Sequence, residues 1–197
     1  VDVARFGDDE SVICYRRGRD ARTKKQKTYK GVDTSTLAMH VANAIECENP
    51  DAVFVDGAGV GGGVIDRLRQ LGYRVIEVQS GEKADASDKY LNKRVEMWGL
   101  MREWLKTGCL TKNEQLENEL IAPEYEITPK GQVKLETKES MKKRGVASPD
   151  FADALALTFA HKVGYKADLS REKIKRESAF DRRNEWFGGR IDGGWMI

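Results

Sequence analysis

The chain has 197 residues, 40% hydrophobic and 34% charged, which suits one domain with a real core and a busy polar surface. Its net charge of +2 excludes a uniform polycation, and no apolar run approaches the roughly 18 residues a membrane helix needs. Three scattered cysteines (Cys14, Cys47, Cys109) and two histidines (His40, His161) argue against a zinc spacing, a disulfide framework or a histidine-rich metal site.

Residues 1–4 predict a strand, and Phe6-Gly7-Asp8-Asp9-Glu10 is turn chemistry. Residues 11–16 alternate into a second strand, so the two read as an antiparallel hairpin. Residues 17–27 predict a loop or hairpin tip, and residues 28–31 a returning third strand. Asp33-Thr34-Ser35 offers N-cap candidates for a helix whose Leu37, Val41, Ala44 and Ile45 recur at helical spacing, stopped by Asn49-Pro50. Residues 52–55 form an apolar run typical of a strand buried on both faces. A glycine-rich turn over 57–63 leads into a helix over 64–71, with Gly72 as its stop and a strand over 74–78 behind it. The strands after the hairpin are therefore expected parallel to its first member.

Residues 80–87 read as a polar loop, and 88–106 as the longest helix, with Leu91, Val95, Trp98, Met101, Trp104 and Leu105 on one stripe. A shorter helix follows over 114–121. Pro129-Lys130-Gly131 marks a hairpin between strands 124–128 and 132–136. Residues 138–143 suit a short helix. Ser148 predicts the cap of a helix over 149–162, with Pro149 in its first position. The predicted class is α/β, with a mixed central sheet of three antiparallel then two parallel strands, flanking helices and an extra hairpin. The expected domain is 1–164. Residues 165–197 read as a charged, glycine-rich tail with isolated aromatics, Phe180, Trp186, Phe187 and Trp195. Because the chain opens inside a strand and shows no signal peptide, it reads as a fragment whose upstream part is missing.

Acids mark the ends of these elements. Asp2 lies inside Val1-Asp2-Val3-Ala4, Asp56 closes Ala52-Val53-Phe54-Val55-Asp56, and Asp150 and Asp153 open the last helix. Two strand ends and a helix start can converge on divalent ions, and phosphodiester cleavage uses several carboxylates around ions roughly 3.5–4 Å apart. Asp150 and Asp153, three apart, can both face the sheet. An acid ending a strand is also a common loop cap, and Asp150 also suits a helix N-terminus electrostatically. Asp2 is harder to explain away, since an unpaired charge inside an apolar strand is costly.

Two other features carry chemistry. Gly57-Ala58-Gly59-Val60-Gly61-Gly62 fits G-x-G-x-x-G between strand and helix, with Glu77 after the next strand, so a Rossmann-like dinucleotide site is the competing reading. Against it, the Asp56 carboxylate directly precedes the first glycine, where it would meet an anionic pyrophosphate. An actin-like ATPase is a weaker competitor, because Phe6-Gly7-Asp8-Asp9 only loosely resembles its phosphate turn. Two clusters of basic residues stand out. Eight of them lie between Arg16 and Lys30, Arg17, Lys24 and Lys25 included; Lys138, Lys142, Lys143 and Arg144 form the second. Either could track a DNA backbone or simply be a solvated loop.

Four segments carry a family resemblance: Val1-Asp2-Val3-Ala4-Arg5-Phe6-Gly7-Asp8-Asp9, Val55-Asp56-Gly57-Ala58-Gly59-Val60-Gly61, Asn92-Lys93-Arg94-Val95-Glu96-Met97-Trp98, and Lys142-Lys143-Arg144-Gly145 running on to Ser148-Pro149-Asp150-Phe151-Ala152-Asp153-Ala154-Leu155. In this order they resemble the nuclease domain of tailed-bacteriophage terminase large subunits. The resemblance implies an RNase H-like (retroviral-integrase-like) fold and a Mg2+- or Mn2+-dependent endonuclease with a two-metal site. Its substrate would be concatemeric double-stranded viral DNA, cut during packaging at the procapsid in the host cytoplasm. It implies that Asp2, Asp56 and Asp150 with Asp153 are the catalytic metal ligands, with the choice between the last two open. It further implies partners: an N-terminal ATPase domain in the full-length protein, a portal protein and a small terminase subunit. No G-x-x-x-x-G-K-[ST] loop is present, so the chain itself is not expected to drive translocation. Arg94 and Glu96 suit an ordinary structural pair equally well. A DNA-binding or motor-docking module without cleavage is the remaining alternative.

Overall fold

A computed structural model describes residues 1–4 and 9–164. The turn residues Phe6, Gly7 and Asp8 and the tail over 165–197 lie outside the described residues. Within them, alternation along short strands does most of the organising. β1 (Ser11–Ile13) pairs antiparallel with β3 (Lys27–Tyr29), and β4 (Phe54–Asp56) pairs parallel with β5 (Ile76–Val78). The N-terminal segment lies between these pairs. Asp2 exchanges backbone hydrogen bonds with Val12 (3.0 Å each way). On its other side the Val1 nitrogen donates to the Phe54 carbonyl (2.6 Å), and the Asp56 N–H donates to the Val1 carbonyl (3.0 Å). Those two bonds bracket Val55, the pattern of a parallel bridge.

Successive strand residues point to opposite faces, and the core divides accordingly. Val1, Ile13 and Val55 pack with Leu37 and Val41 of α1 (Thr34–Glu48) and Val64, Ile65 and Leu68 of α2 (Gly61–Gln70). Val12, Phe54 and Val78 face the other way. They pack with Met97, Trp98 and Met101 of α3 (Lys93–Leu105), Leu116 of α4 (Glu114–Ile121), and Phe151 and Leu155 of α6 (Asp150–Leu157). The strands are thus covered by helices on both faces.

Local chemistry sets the helix ends. Asp33 caps α1 by accepting from the Thr36 N–H (2.8 Å), and Asn49 closes it in the left-handed conformation (φ 42°). α3 starts five residues later than its periodicity predicts. Residues 89–91 are drawn into pairing with the hairpin: the Val133 N–H donates to the Lys89 carbonyl (2.8 Å) and the Leu91 N–H to the Val133 carbonyl (3.0 Å). Asn92 then caps α3 through the Val95 N–H (3.0 Å), which leaves Leu91 exposed rather than on the buried stripe. The hairpin itself is β7 (Tyr125–Ile127) with β8 (Val133–Leu135), followed by α5 (Lys138–Lys143).

Three further expectations change. Residues 17–27 are not only a loop, since β2 (Asp20–Ala21) pairs parallel with β6 (Cys109–Leu110). Two-residue strands leave no periodic signal. The glycine-rich turn is shorter than expected, because α2 begins at Gly61. Finally, α6 ends at Leu157 rather than residue 162, and Ser148 does not cap it; Pro149 holds the N-cap position without a side-chain bond.

Candidate functional site

The two-residue period delivers both strand-borne acids to one face. Val1 and Val55 point toward α1 and α2, so their neighbours Asp2 and Asp56 point toward α3 and α6. There they line a cleft of about 430 Å³ with Ser80, Arg94, Lys138 and Asp153. Asp150 opens the same helix as Asp153 but is not among the lining residues.

Lys138 is the focus of the acids. Its Nζ lies 3.0 Å from Asp153 Oδ2, 3.8 Å from Asp150 Oδ1 and 3.9 Å from Asp2 Oδ2. Asp153 is held most firmly. Its Oδ1 accepts from the Trp98 indole N–H (2.7 Å) and Arg94 Nε (3.2 Å), and its Oδ2 from Arg94 Nη2 (3.3 Å). Asp150 Oδ2 accepts from the Glu10 N–H (2.8 Å). Asp56 Oδ1 accepts from the Ala58 N–H (3.2 Å) and the Ser80 hydroxyl (3.3 Å).

Charge and burial set the protonation states. Burial pushes Asp2 up to about 7, Lys138 opposes the shift, and Asp153, Asp56 and Asp150 reinforce it. Asp56 and Asp150 are raised too, burial being the main cause in each. Burial also acts against charge on Asp153, but Arg94, Lys138 and Trp98 outweigh it and hold that carboxyl below its usual range. Burial pulls the Lys138 ammonium down, and the surrounding carboxylates raise it above its ordinary value.

Among the described residues, no three carboxylate, imidazole or thiol groups close tightly enough to hold an ion as they stand. The acids are gathered around an ammonium instead. Three of them are buried, and an all-oxygen donor set of this kind fits a hard divalent cation.

Sequence reasoning missed several members of this site. Lys138 reads as one base in a basic cluster, yet it turns away from Lys142, Lys143 and Arg144 into the acids. Arg94 and Glu96 are not a pair. Arg94 joins Asp153, while Glu96 binds Lys93 Nζ (2.8 Å) and accepts from the Asp85 and Ala86 N–H groups. Trp98 reads as a core residue, and nothing in the sequence singles out Ser80. The signal for Arg94 and Trp98 is their place in the family-like Asn92–Trp98 segment.

The remaining candidates are surface bases. Arg17, Lys24, Lys25, Lys142, Lys143 and Arg144 are exposed. Lys24 pairs with Glu48, Lys142 with Asp9 (3.0 Å) and Arg144 with Glu136 (2.5 Å). In the glycine loop, Gly61 meets the Asp56 backbone so closely that a Cβ there would fall 1.8 Å from the Asp56 carbonyl oxygen. Glu77 is engaged by Gln79 (2.6 Å) and Arg69 (3.5 Å).

No protein-family model matches the chain, and no curated protein is similar to it in sequence. Solved structures do match. The nuclease domain of the large terminase subunit gp2 of bacterial virus Sf6 superposes with a TM-score of 0.69 at 19% identity, over 83% of this chain and 86% of that one. A mutant of that domain with manganese and beta-thujaplicinol gives 0.70 at 19% identity over the same shares. A mutant with calcium gives 0.69 at 20%, over 82% and 86%. At this identity the likeness establishes architecture: the chain has the RNase H-like fold of a large-terminase nuclease domain.

Proposed function

We propose that this protein is a Mg2+- or Mn2+-dependent endonuclease that cuts concatemeric double-stranded viral DNA during genome packaging. The observation that carries the reading is the meeting of Asp2, Asp56 and Asp153 in one cleft, from positions 54 and 97 residues apart in the chain. The fold likeness supports it, and the related domains were solved with manganese and with calcium. The finer sheet arrangement belongs to the same reading. The bonds at Asp2–Val12 and Val1–Asp56 support one mixed sheet ordered β3, β1, N-terminal segment, β4, β5.

In this reading Asp2, Asp56 and Asp153 hold two ions, with Asp150 beside them. Bound ions supply an activated water and charge stabilisation at the leaving oxygen, so no side-chain base is needed. Arg94 and Trp98 fix the Asp153 carboxylate in one orientation. Ser80 and the Ala58 N–H do the same for Asp56. Lys138 neutralises the acids when no ion is present. Arg17, Lys24, Lys25, Lys142, Lys143 and Arg144 meet the DNA backbone, where each charge adds sequence-independent affinity. Residues 1–164 form the nuclease domain and 165–197 an extension. An N-terminal ATPase domain, a portal protein and a small terminase subunit complete the assembly in the host cytoplasm.

Plasmid nicking tests the reading. With Mn2+, the wild type should relax supercoiled DNA, and Asp2→Asn and Asp56→Asn should each lose on the order of 100-fold or more. Equal cutting by all three would contradict it. DNA retention without cutting by any of them would favour the docking-module alternative.

A further inference from the structure

Helix α6 carries both Asp150 and Asp153, yet it lacks a cap of its own. Pro149, at its N-cap, makes no side-chain bond. The first N–H groups of a helix need acceptors when they are buried, and Ala152 is fully buried. The acceptor comes from another helix. Glu119, near the end of α4, is itself only 8% exposed. Its Oε2 accepts from the Ala152 N–H at 3.0 Å. Its Oε1 accepts from Gln115 Nε2 at 3.1 Å, which orients the carboxyl group.

We propose that Glu119 is a positioning residue for the acidic centre: by capping α6 from α4, it fixes the rotation and depth at which that helix presents Asp150 and Asp153. The inference rests on the nuclease reading above. Asp150 lies two residues before Ala152, and Asp153 directly follows it. A turn or slide of the helix start therefore moves both carboxylates against Asp2, Asp56 and Lys138. The far end of α6 is fixed separately. Arg16 Nη2 donates to the Thr158 carbonyl (2.7 Å), and its Nε to the Thr158 hydroxyl (2.8 Å). With that end anchored, loss of the Glu119 cap is felt mainly at the acidic end. Burial pushes the Glu119 carboxyl up to about 7, and protonated or not it keeps an oxygen that can accept from the helix start. Sequence could not suggest this cap, because donor and acceptor lie 33 residues apart.

The test uses the full chain and two readouts: calorimetric titration with MnCl2, and the Mn2+ concentration giving half-maximal plasmid nicking. Glu119→Ala should weaken Mn2+ binding and raise the nicking midpoint by about tenfold. Glu119→Gln keeps an accepting oxygen and should stay within about twofold of wild type. Glu117→Ala, on the exposed side of α4, should change neither. If Glu119→Ala fails to fold, Glu119→Asp takes its place. It keeps the carboxyl group but withdraws it by one methylene, and its midpoint should rise at least about threefold. A folded Glu119→Ala, or failing that Glu119→Asp, with wild-type Mn2+ binding and midpoint would overturn the positioning role. So would a Gln variant as impaired as the Ala variant. If the wild type neither binds Mn2+ nor nicks, the nuclease reading falls first. If the wild type binds and cuts, Asp2→Asn does not, and Glu119→Ala matches wild type, only the role of Glu119 falls.

Discussion

Among the described glycines, the tightest constraint is at Gly61. A Cβ there would overlap the carbonyl oxygen of Asp56, which is backbone and cannot swing away as a flexible side chain would. Gly61→Ala should therefore destabilise the protein by about 1–3 kcal/mol in urea unfolding and slow nicking, because the strand end bearing Asp56 has to shift. Unchanged stability would mean that α2 and β4 are less closely apposed. Residues of this kind differ in how far the sequence reveals them. Asp2 is legible because a charge inside an apolar strand needs a partner, and Asp56 because it closes a buried strand. Lys138, Arg94 and Trp98 are not, since their roles come from which neighbours the fold sets against Asp153. No spacing encodes a lysine from a short helix entering an acidic cleft.

At the scale of elements, the hairpin and α5 form the wall that carries Lys138. Glu136 ties them together. Its carboxylate accepts from Arg144 Nε (3.0 Å) and Nη2 (2.5 Å) and from the Ser140 hydroxyl (2.8 Å), while its backbone carbonyl accepts from Arg94 Nη1 (3.1 Å). The Arg144 hydrogen bond, opposed by desolvation and helped by Ser140, holds its carboxyl down at about 2. The folded state therefore prefers the charged form. Its contribution is complete above the ordinary glutamate range and is lost as pH falls toward that lowered value. Glu136→Gln should melt below wild type at about pH 7, with the gap narrowing between about pH 5 and pH 3. A gap independent of pH would contradict the ion-pair account. Most helices and the hairpin were readable from period and turn residues. The late start of α3 was not, because strand-like pairing of residues 89–91 with Val133 overrides the helical stripe. Nor was the parallel pairing of Asp20 with Cys109, which joins short segments distant in sequence.

For the whole molecule, the alternation of a few strands decides where chemistry can occur. One face is filled by apolar packing against α1 and α2, and the other admits carboxylates because α6 brings small residues, Ala152, Ala154 and Ala156, close to the strands. Buried acids then gather around one lysine, an arrangement whose charge suits exchange of the ammonium for divalent ions. Anomalous diffraction at the manganese edge, from crystals soaked in MnCl2, tests this most directly. The account predicts Mn2+ peaks bounded by the carboxylates of Asp2, Asp56 and Asp153, with the Lys138 ammonium displaced from its present position. Crystals that take up no manganese at these acids, while Lys138 keeps its contacts with them, would contradict it.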